Sequence, residues 1–254
     1  MVYKIEYGAQ LKSVPSHGYI FVASHMRSFS SLLCHILGSH GEISGYAETH
    51  QSYLGRIDLQ ELKRRVQETT GEMVSGKYVL DKILHNEIHI APSVLTRADV
   101  KVLFLVRKAE DTMRSILNMT HTLGYTWLTK PHEVLDYYVN RLQRIENYSA
   151  QLQSNALFVE AEKLIDDTDA VLNGLSRWLD LEEPLTANYR TFKFTGAAGY
   201  GDPSPTILTG QLIKDAKDRH GAHVPLAIPH DVLRQGKEAY AVCREILSKR
   251  HESP

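Results

Sequence analysis

Cysteine is nearly missing from this sequence: Cys34 and Cys243 are the only two in 254 residues. Two thiols so far apart make neither a disulfide framework nor a zinc-ligand spacing. A reduced, intracellular setting is the simplest reading. Excess charge of one sign is missing too. The formal net charge is −1, so no bulk attraction draws the chain to nucleic acid or to an anionic membrane surface, and any anion site must be local. No apolar run approaches the ~20 residues of a membrane span. The opening MVYKIEYGAQLKS lacks the apolar segment of a signal peptide. A soluble cytoplasmic protein is expected, with no nucleic-acid or membrane partner. Repeats, low-complexity tracts and Pro/Gly/Ser linkers are absent as well, so residues 1–254 read as one domain. A hydrophobic content of 43% is ample for its core.

What is present is an alternation of apolar runs and helical patterns. GYIFVA (18–23), VKVLFLV (100–106) and ALFVEA (156–161) are short, aromatic or β-branched, and bounded by polar residues. They read as buried parallel strands. Residues 30–37 form a mostly apolar helical stretch, and 59–68 a charged amphipathic one. Apolar residues at 134, 135, 138, 142, 145 and 152 recur at helical spacing. Further helices are expected over 168–179 and 229–250. Strands alternating with helices predict a doubly wound α/β sheet. The Gly/Pro-rich stretch from about 190 to 225 is weakly patterned and reads as a binding loop or as disorder.

The turn SHMRSFSSLL (24–33) follows the first strand directly. Free N–H groups at a helix N-terminus attract an anion. Ser28, Ser30 and Ser31 add hydroxyls, and the Arg27 guanidinium suits phosphate. Equally, the serines serve as helix caps. The ATP-type P-loop G-x-x-x-x-G-K-[ST] is absent. The second strand ends not in a metal-holding aspartate but in Arg107. Two cationic anion sites at strand ends suggest a nucleotide with two phosphate positions and no metal.

Met26-Arg27-Ser28-Phe29-Ser30-Ser31-Leu32 resembles the 5′-phosphosulfate loop of sulfotransferases that use 3′-phosphoadenosine 5′-phosphosulfate (PAPS). FLVRKAEDTMRSI resembles their 3′-phosphate element, with Arg107 at a strand end and Ser115 on the following helix. Residues 158–164 are similar to a late strand end of the family, and GYGDPSP (199–205) to its nucleotide-closing loop. The resemblance spans roughly residues 18 to 210. It implies a three-layer αβα sandwich around a mainly parallel, P-loop-like sheet, and PAPS as co-substrate with no metal. It places Arg27, Ser28, Phe29, Ser30, Ser31, Arg107, Ser115, Gly199 and Gly201 against the nucleotide. By the same resemblance to the Glu-Thr branch, Glu48 in GYAETHQSY is the base. Lys82 in VLDK, with Arg27, holds the bridging oxygen. His50 is the rival base, because its ordinary pKa suits the task. Glu48 needs partial burial to lift its pKa toward working pH. A small-molecule alcohol, amine or carbamate is the expected acceptor, as in secondary metabolism. A small-molecule kinase, or a catalytically silent nucleotide-binding protein, is the alternative.

Two positions depart from the family loop: Phe29 stands where Gly is usual, and Met26 where Pro is usual. A backbone angle that only Gly tolerates would force the loop to differ locally. The pair His85 and His89 in HNEIH, and His220 and His223 in HGAH, do not match the spacing of a zinc-protease helix and read as surface or acceptor-lining histidines. ELKRR (61–65) reads as a solvated helix face. Tyr125 and Trp127 are candidates for the acceptor wall, or for core.

Overall fold

The computed structural model describes residues 17–214 and 227–254. Five parallel strands form the sheet: β1 (Gly18–Ser24), β2 (Ile43–Ser44), β3 (Tyr78–Ile83), β4 (Val100–Val106) and β5 (Ala156–Glu160), in the spatial order β2-β3-β1-β4-β5. β1 is central, which explains its unbroken apolar sequence: both faces must be covered. Its side chains alternate. Tyr19, Phe21 and Ala23 enter one core, while Ile20 and Val22 enter the other.

Helices fill both layers. On the Phe21 side lie α2 (Arg56–Thr70), α5 (Pro131–Ser149) and α8 (His230–Arg250), through Leu59, Leu62, Tyr138, Leu142, Ile145 and Leu247. On the Val22 side lie α1 (Ser30–Gly38) and α7 (Thr168–Leu179), through Leu33, Ile36, Leu37, Val171 and Leu175. The short helices α3 (Pro92–Leu95) and α6 (Lys163–Asp166) close turns. α4 (Ala109–Leu123) joins α5 and α8 in a satellite core around Met113 and Ile116. The result is the expected three-layer α/β sandwich. β2 and β3 are additions to the three strands that periodicity alone located. β3 carries Asp81 and Lys82 in an otherwise apolar run, which hides it from a hydrophobicity pattern.

The chain runs from β1 out to β2 and back to β3 on one side, then crosses to β4 and β5 on the other. The helices after β1 and β4 therefore lie on opposite faces, and a crevice opens above the strand ends between them. In open α/β sheets that crevice is the ligand site. No described helix is long and apolar enough to cross a membrane. The HGAH stretch at 220–223 lies outside the described residues.

Candidate active site

The turn after β1 is held in a demanding shape. Arg27 and Phe29 both take left-handed backbone angles, φ 63° and 64°. For a non-glycine residue that costs roughly 1–2 kcal/mol. The surroundings enforce it. Ser24 donates to the Leu105 carbonyl at 2.5 Å, and the Arg107 guanidinium to the Arg27 carbonyl at 2.9 Å. The Phe29 ring lies 4.2 Å from that guanidinium, a cation–π contact. The loop thus adopts the glycine-like conformation with Phe29 in place.

His25, which no motif marked, locks the turn to β4. Its Nδ1 donates to the Met26 carbonyl at 2.9 Å, and its Nε2 accepts the Arg107 N–H at 3.0 Å. Only a neutral imidazole can do both. Burial, with the charges of Arg107 and Arg141 adding to it, lowers its pKa to about 3.

The serines divide. Ser28 is fully buried, and its hydroxyl is used inside the turn on the His25 carbonyl, 2.8 Å away. Phe29 is the N-cap of α1 and supplies no side-chain bond, so the serines are not acting as caps. The first N–H groups of α1 have no i−4 carbonyl to bond within the helix, the arrangement that suits an anion. Ser31 meets Lys82: Nζ donates to Ser31 Oγ at 2.9 Å.

Lys82 is the centre of the arrangement. Its side chain is wholly buried, and Nζ also lies 3.3 Å from Glu48 Oε1. The other carboxylate oxygen faces two histidines. Oε2 is 3.1 Å from His85 Nε2 and 3.9 Å from His50 Nδ1. Burial pushes the Glu48 carboxyl up, but Lys82, His85 and His50 together outweigh it and bring it to about 2. The sequence argument expected a raised pKa. The direction reverses because the burial that would raise it also brings a cation to 3.3 Å.

The HNEIH histidines part company, as His89 Nδ1 accepts from Arg144 at 2.9 Å instead. Tyr125 and Trp127 stack on each other, ring centroids 5.4 Å apart, beyond the C-terminal end of α4.

A second cluster lies alongside. Arg27 Nε donates to Ser115 Oγ at 2.9 Å, so the two anion elements that the sequence treats separately share a guanidinium. Arg27 is directed to this cluster rather than to Lys82. Its NH1 meets Asp202 Oδ1 at 2.7 Å. Asp202 belongs to the Gly-rich loop, which lies over both clusters: its backbone N–H donates to Ser31 Oγ at 2.9 Å. Gly201 is pressed so close that a Cβ would come within 2.9 Å of Lys82 Nζ, and its φ of +146° disfavours any side chain. Gly199 accepts from His50 Nε2 through its carbonyl at 2.6 Å.

Beneath these groups is a buried frame that sequence reasoning missed. Asp81 accepts from the Thr49 hydroxyl and N–H at 2.6 and 3.1 Å, from Tyr53 OH at 2.5 Å and from the Lys82 N–H at 2.9 Å. It fixes the residue after Glu48. Burial raises its carboxyl to about 6, although these bonds favour the charged form. Arg65, read as part of a solvated face, donates to the Thr49 carbonyl at 2.8 Å. Arg141 is fully buried and ties two strand-end carbonyls, Ser24 at 2.5 Å and Ile83, to that of His85 just beyond β3, at 3.3 Å. The available signals were a carboxylate inside an apolar run and an arginine on the apolar stripe of α5.

A parallel sheet between two helical layers, with a strained turn after its central strand and a buried lysine beside it, defines the class of this protein. Within that class it has the sulfotransferase fold. It is similar to the sulfotransferase domain from the curacin biosynthetic pathway, with a TM-score of 0.59 at 19% identity over 95% of this chain and 100% of that one. It is also similar to the sulfotransferase domain from the Synechococcus PCC 7002 olefin synthase, with a TM-score of 0.58 at 17% identity over 89% of this chain and 95% of that one. No protein-family model and no curated protein matches the sequence.

Proposed function

We propose that this protein transfers a sulfuryl group from PAPS to an oxygen or nitrogen of a small-molecule acceptor. The observation that carries the reading is Lys82, buried between the hydroxyl of the anion-binding turn and the carboxylate of Glu48. The likeness in fold to two sulfotransferase domains supports it. One of them belongs to a biosynthetic pathway, which favours a small metabolite as acceptor.

The residues fit the donor. Asp202 is a carboxylate held on Arg27, so the cluster already binds one anion. Arg107, Ser115 and Arg27 suit the 3′-phosphate. Ser30, Ser31 and the N-terminus of α1 suit the phosphosulfate, with Phe29 setting the angle of the turn and Gly199 and Gly201 forming the cover. Glu48 takes the proton of the acceptor O–H or N–H. The acceptor atom forms its bond to sulfur as the bond from sulfur to the bridging oxygen breaks. Lys82 neutralises the charge that appears on that oxygen, leaving adenosine 3′,5′-bisphosphate; Arg27, expected to share this role, is turned to Ser115 and Asp202 instead. Positioning and charge stabilisation dominate such transfers.

Glu48 gains basicity in the process. When Lys82 turns from its carboxylate to the donor, the nearest cation leaves and burial is free to raise its pKa. His50, the rival base, turns Nε2 to the Gly199 carbonyl and Nδ1 toward Glu48, 3.9 Å away.

Titration calorimetry with adenosine 3′,5′-bisphosphate, against Mg-ADP as control, tests the donor site. Tighter binding of the bisphosphate, lost in Arg107→Ala, is expected. Preference for Mg-ADP would point to a kinase on the same fold.

A further inference from the structure

We propose that Glu48, His50 and His85 form a site for a divalent transition-metal ion such as Zn²⁺, and that the bound ion blocks the proposed transfer. The blocking half of this inference rests on the sulfotransferase reading; the binding half does not.

Two imidazoles and one carboxylate are ligands that zinc and its neighbours take readily. Their ligand atoms lie within 4.8 Å of one another. Glu48 Oε2 is 3.1 Å from His85 Nε2 and 3.9 Å from His50 Nδ1. A tetrahedral ion with bonds of about 2.0–2.1 Å holds its ligand atoms about 3.3–3.4 Å apart. Small side-chain rotations therefore suffice.

The orientation of His50 is a separate argument. The Gly199 carbonyl accepts from His50 Nε2 at 2.6 Å. A carbonyl cannot donate, so Nε2 carries the proton. In the neutral ring, Nδ1 then turns a lone pair toward Glu48. This is the arrangement of a ligating histidine whose other nitrogen is bonded to a backbone carbonyl. Gly199 also belongs to the covering loop, so the ion would tie that loop to the site.

Lys82 sets both the strength and the consequence. It occupies Oε1, so the ion takes Oε2 in place of the proton that His85 Nε2 now donates to it. Its positive charge keeps the affinity modest. An ion on Oε2 takes the lone pairs that would accept the acceptor's proton, and it fills the space beside them. Inhibition should follow metal occupancy.

The test uses the whole chain. Zn²⁺ binding is measured by calorimetry, and Co²⁺ binding by the visible absorption bands of a low-coordinate cobalt site. One ion per chain at micromolar concentrations is expected, with affinity lowered by about tenfold or more in His50→Ala and in His85→Ala. His89→Ala, which removes a histidine outside the cluster, should keep wild-type affinity. Thermal melting of each variant separates ligand loss from misfolding. Absence of binding up to about 100 μM would overturn the proposal, since no useful occupancy would remain. So would equal affinity in the folded His50 and His85 variants. Metal binding without bisphosphate binding would retain the site and remove the sulfotransferase reading; the reverse would remove only the site.

Discussion

Phe29 shows what a single residue does here. It takes a left-handed angle that glycine takes freely, and its ring rests against the Arg107 guanidinium. The side chain that strains the backbone thus also positions the arginine. His25 works on the same scale. A histidine whose folded pKa is depressed stabilises the protein above its unfolded pKa, near 6.5, and that contribution is lost as pH falls toward about 3. Denaturant titrations of the wild type and His25→Asn should diverge in slope between pH 6 and 4. The variant should lose stability less steeply, by up to about 1.4 kcal/mol per pH unit, one proton's worth. Parallel slopes would mean that His25 is not held neutral. Glu48→Gln should lower the transfer rate by about 10²-fold or more, the usual size of a general-base effect, while bisphosphate binding survives in calorimetry. Unchanged turnover would remove Glu48 from the mechanism.

At the scale of elements, the question is what keeps the ends of β1 and β3 in register around the site. β1 and β3 are bonded along their lengths, but beyond Ser24 and Ile83 the ladder stops. Arg141 on α5 replaces it, reaching the carbonyls of Ser24, Ile83 and His85. A buried acceptor left without a donor costs about 1–3 kcal/mol. Arg141→Met should therefore destabilise by about 3 kcal/mol or more in urea melts, despite its added apolar surface. A loss below about 1 kcal/mol would show that water or neighbouring groups replace the guanidinium. The Asp81 frame acts similarly between β3 and the segment after β2, and it explains why Glu48 and Lys82 meet although 34 positions separate them.

At the scale of the molecule, the proposed transfer requires the Gly-rich loop to move. In this structure Asp202 takes Arg27 and Ser31 at once, and Gly201 lies on Lys82. The proposed donor would compete for the same groups. Asp202→Asn keeps the size of the side chain and removes its charge. Its bisphosphate affinity should rise on the order of fivefold, because a partly exposed ion pair is worth about 1 kcal/mol at most. Weaker binding in the variant would mean that Asp202 serves the bound state rather than competing with it.

Much of this was legible from the chain alone. β1, β4 and β5 are apolar runs covered on both faces, so hydrophobicity marks them. α1, α2, α5, α7 and α8 carry a period that survives reading along one dimension. Arg27, Ser31, Glu48, Lys82, Arg107 and Ser115 were picked out by motif and do gather at one edge of the sheet, in two adjoining clusters. What the sequence could not determine was the state of those groups. The sign of the Glu48 shift depends on a cation 3.3 Å away. The use of Ser28 depends on a carbonyl 2.8 Å away. Asp81, Arg141 and Asp202 matter only through partners brought from distant segments. Local pattern reports which face of an element is apolar. Electrostatics and hydrogen bonding act through space, so their outcome is decided only when the tertiary structure fixes the distances.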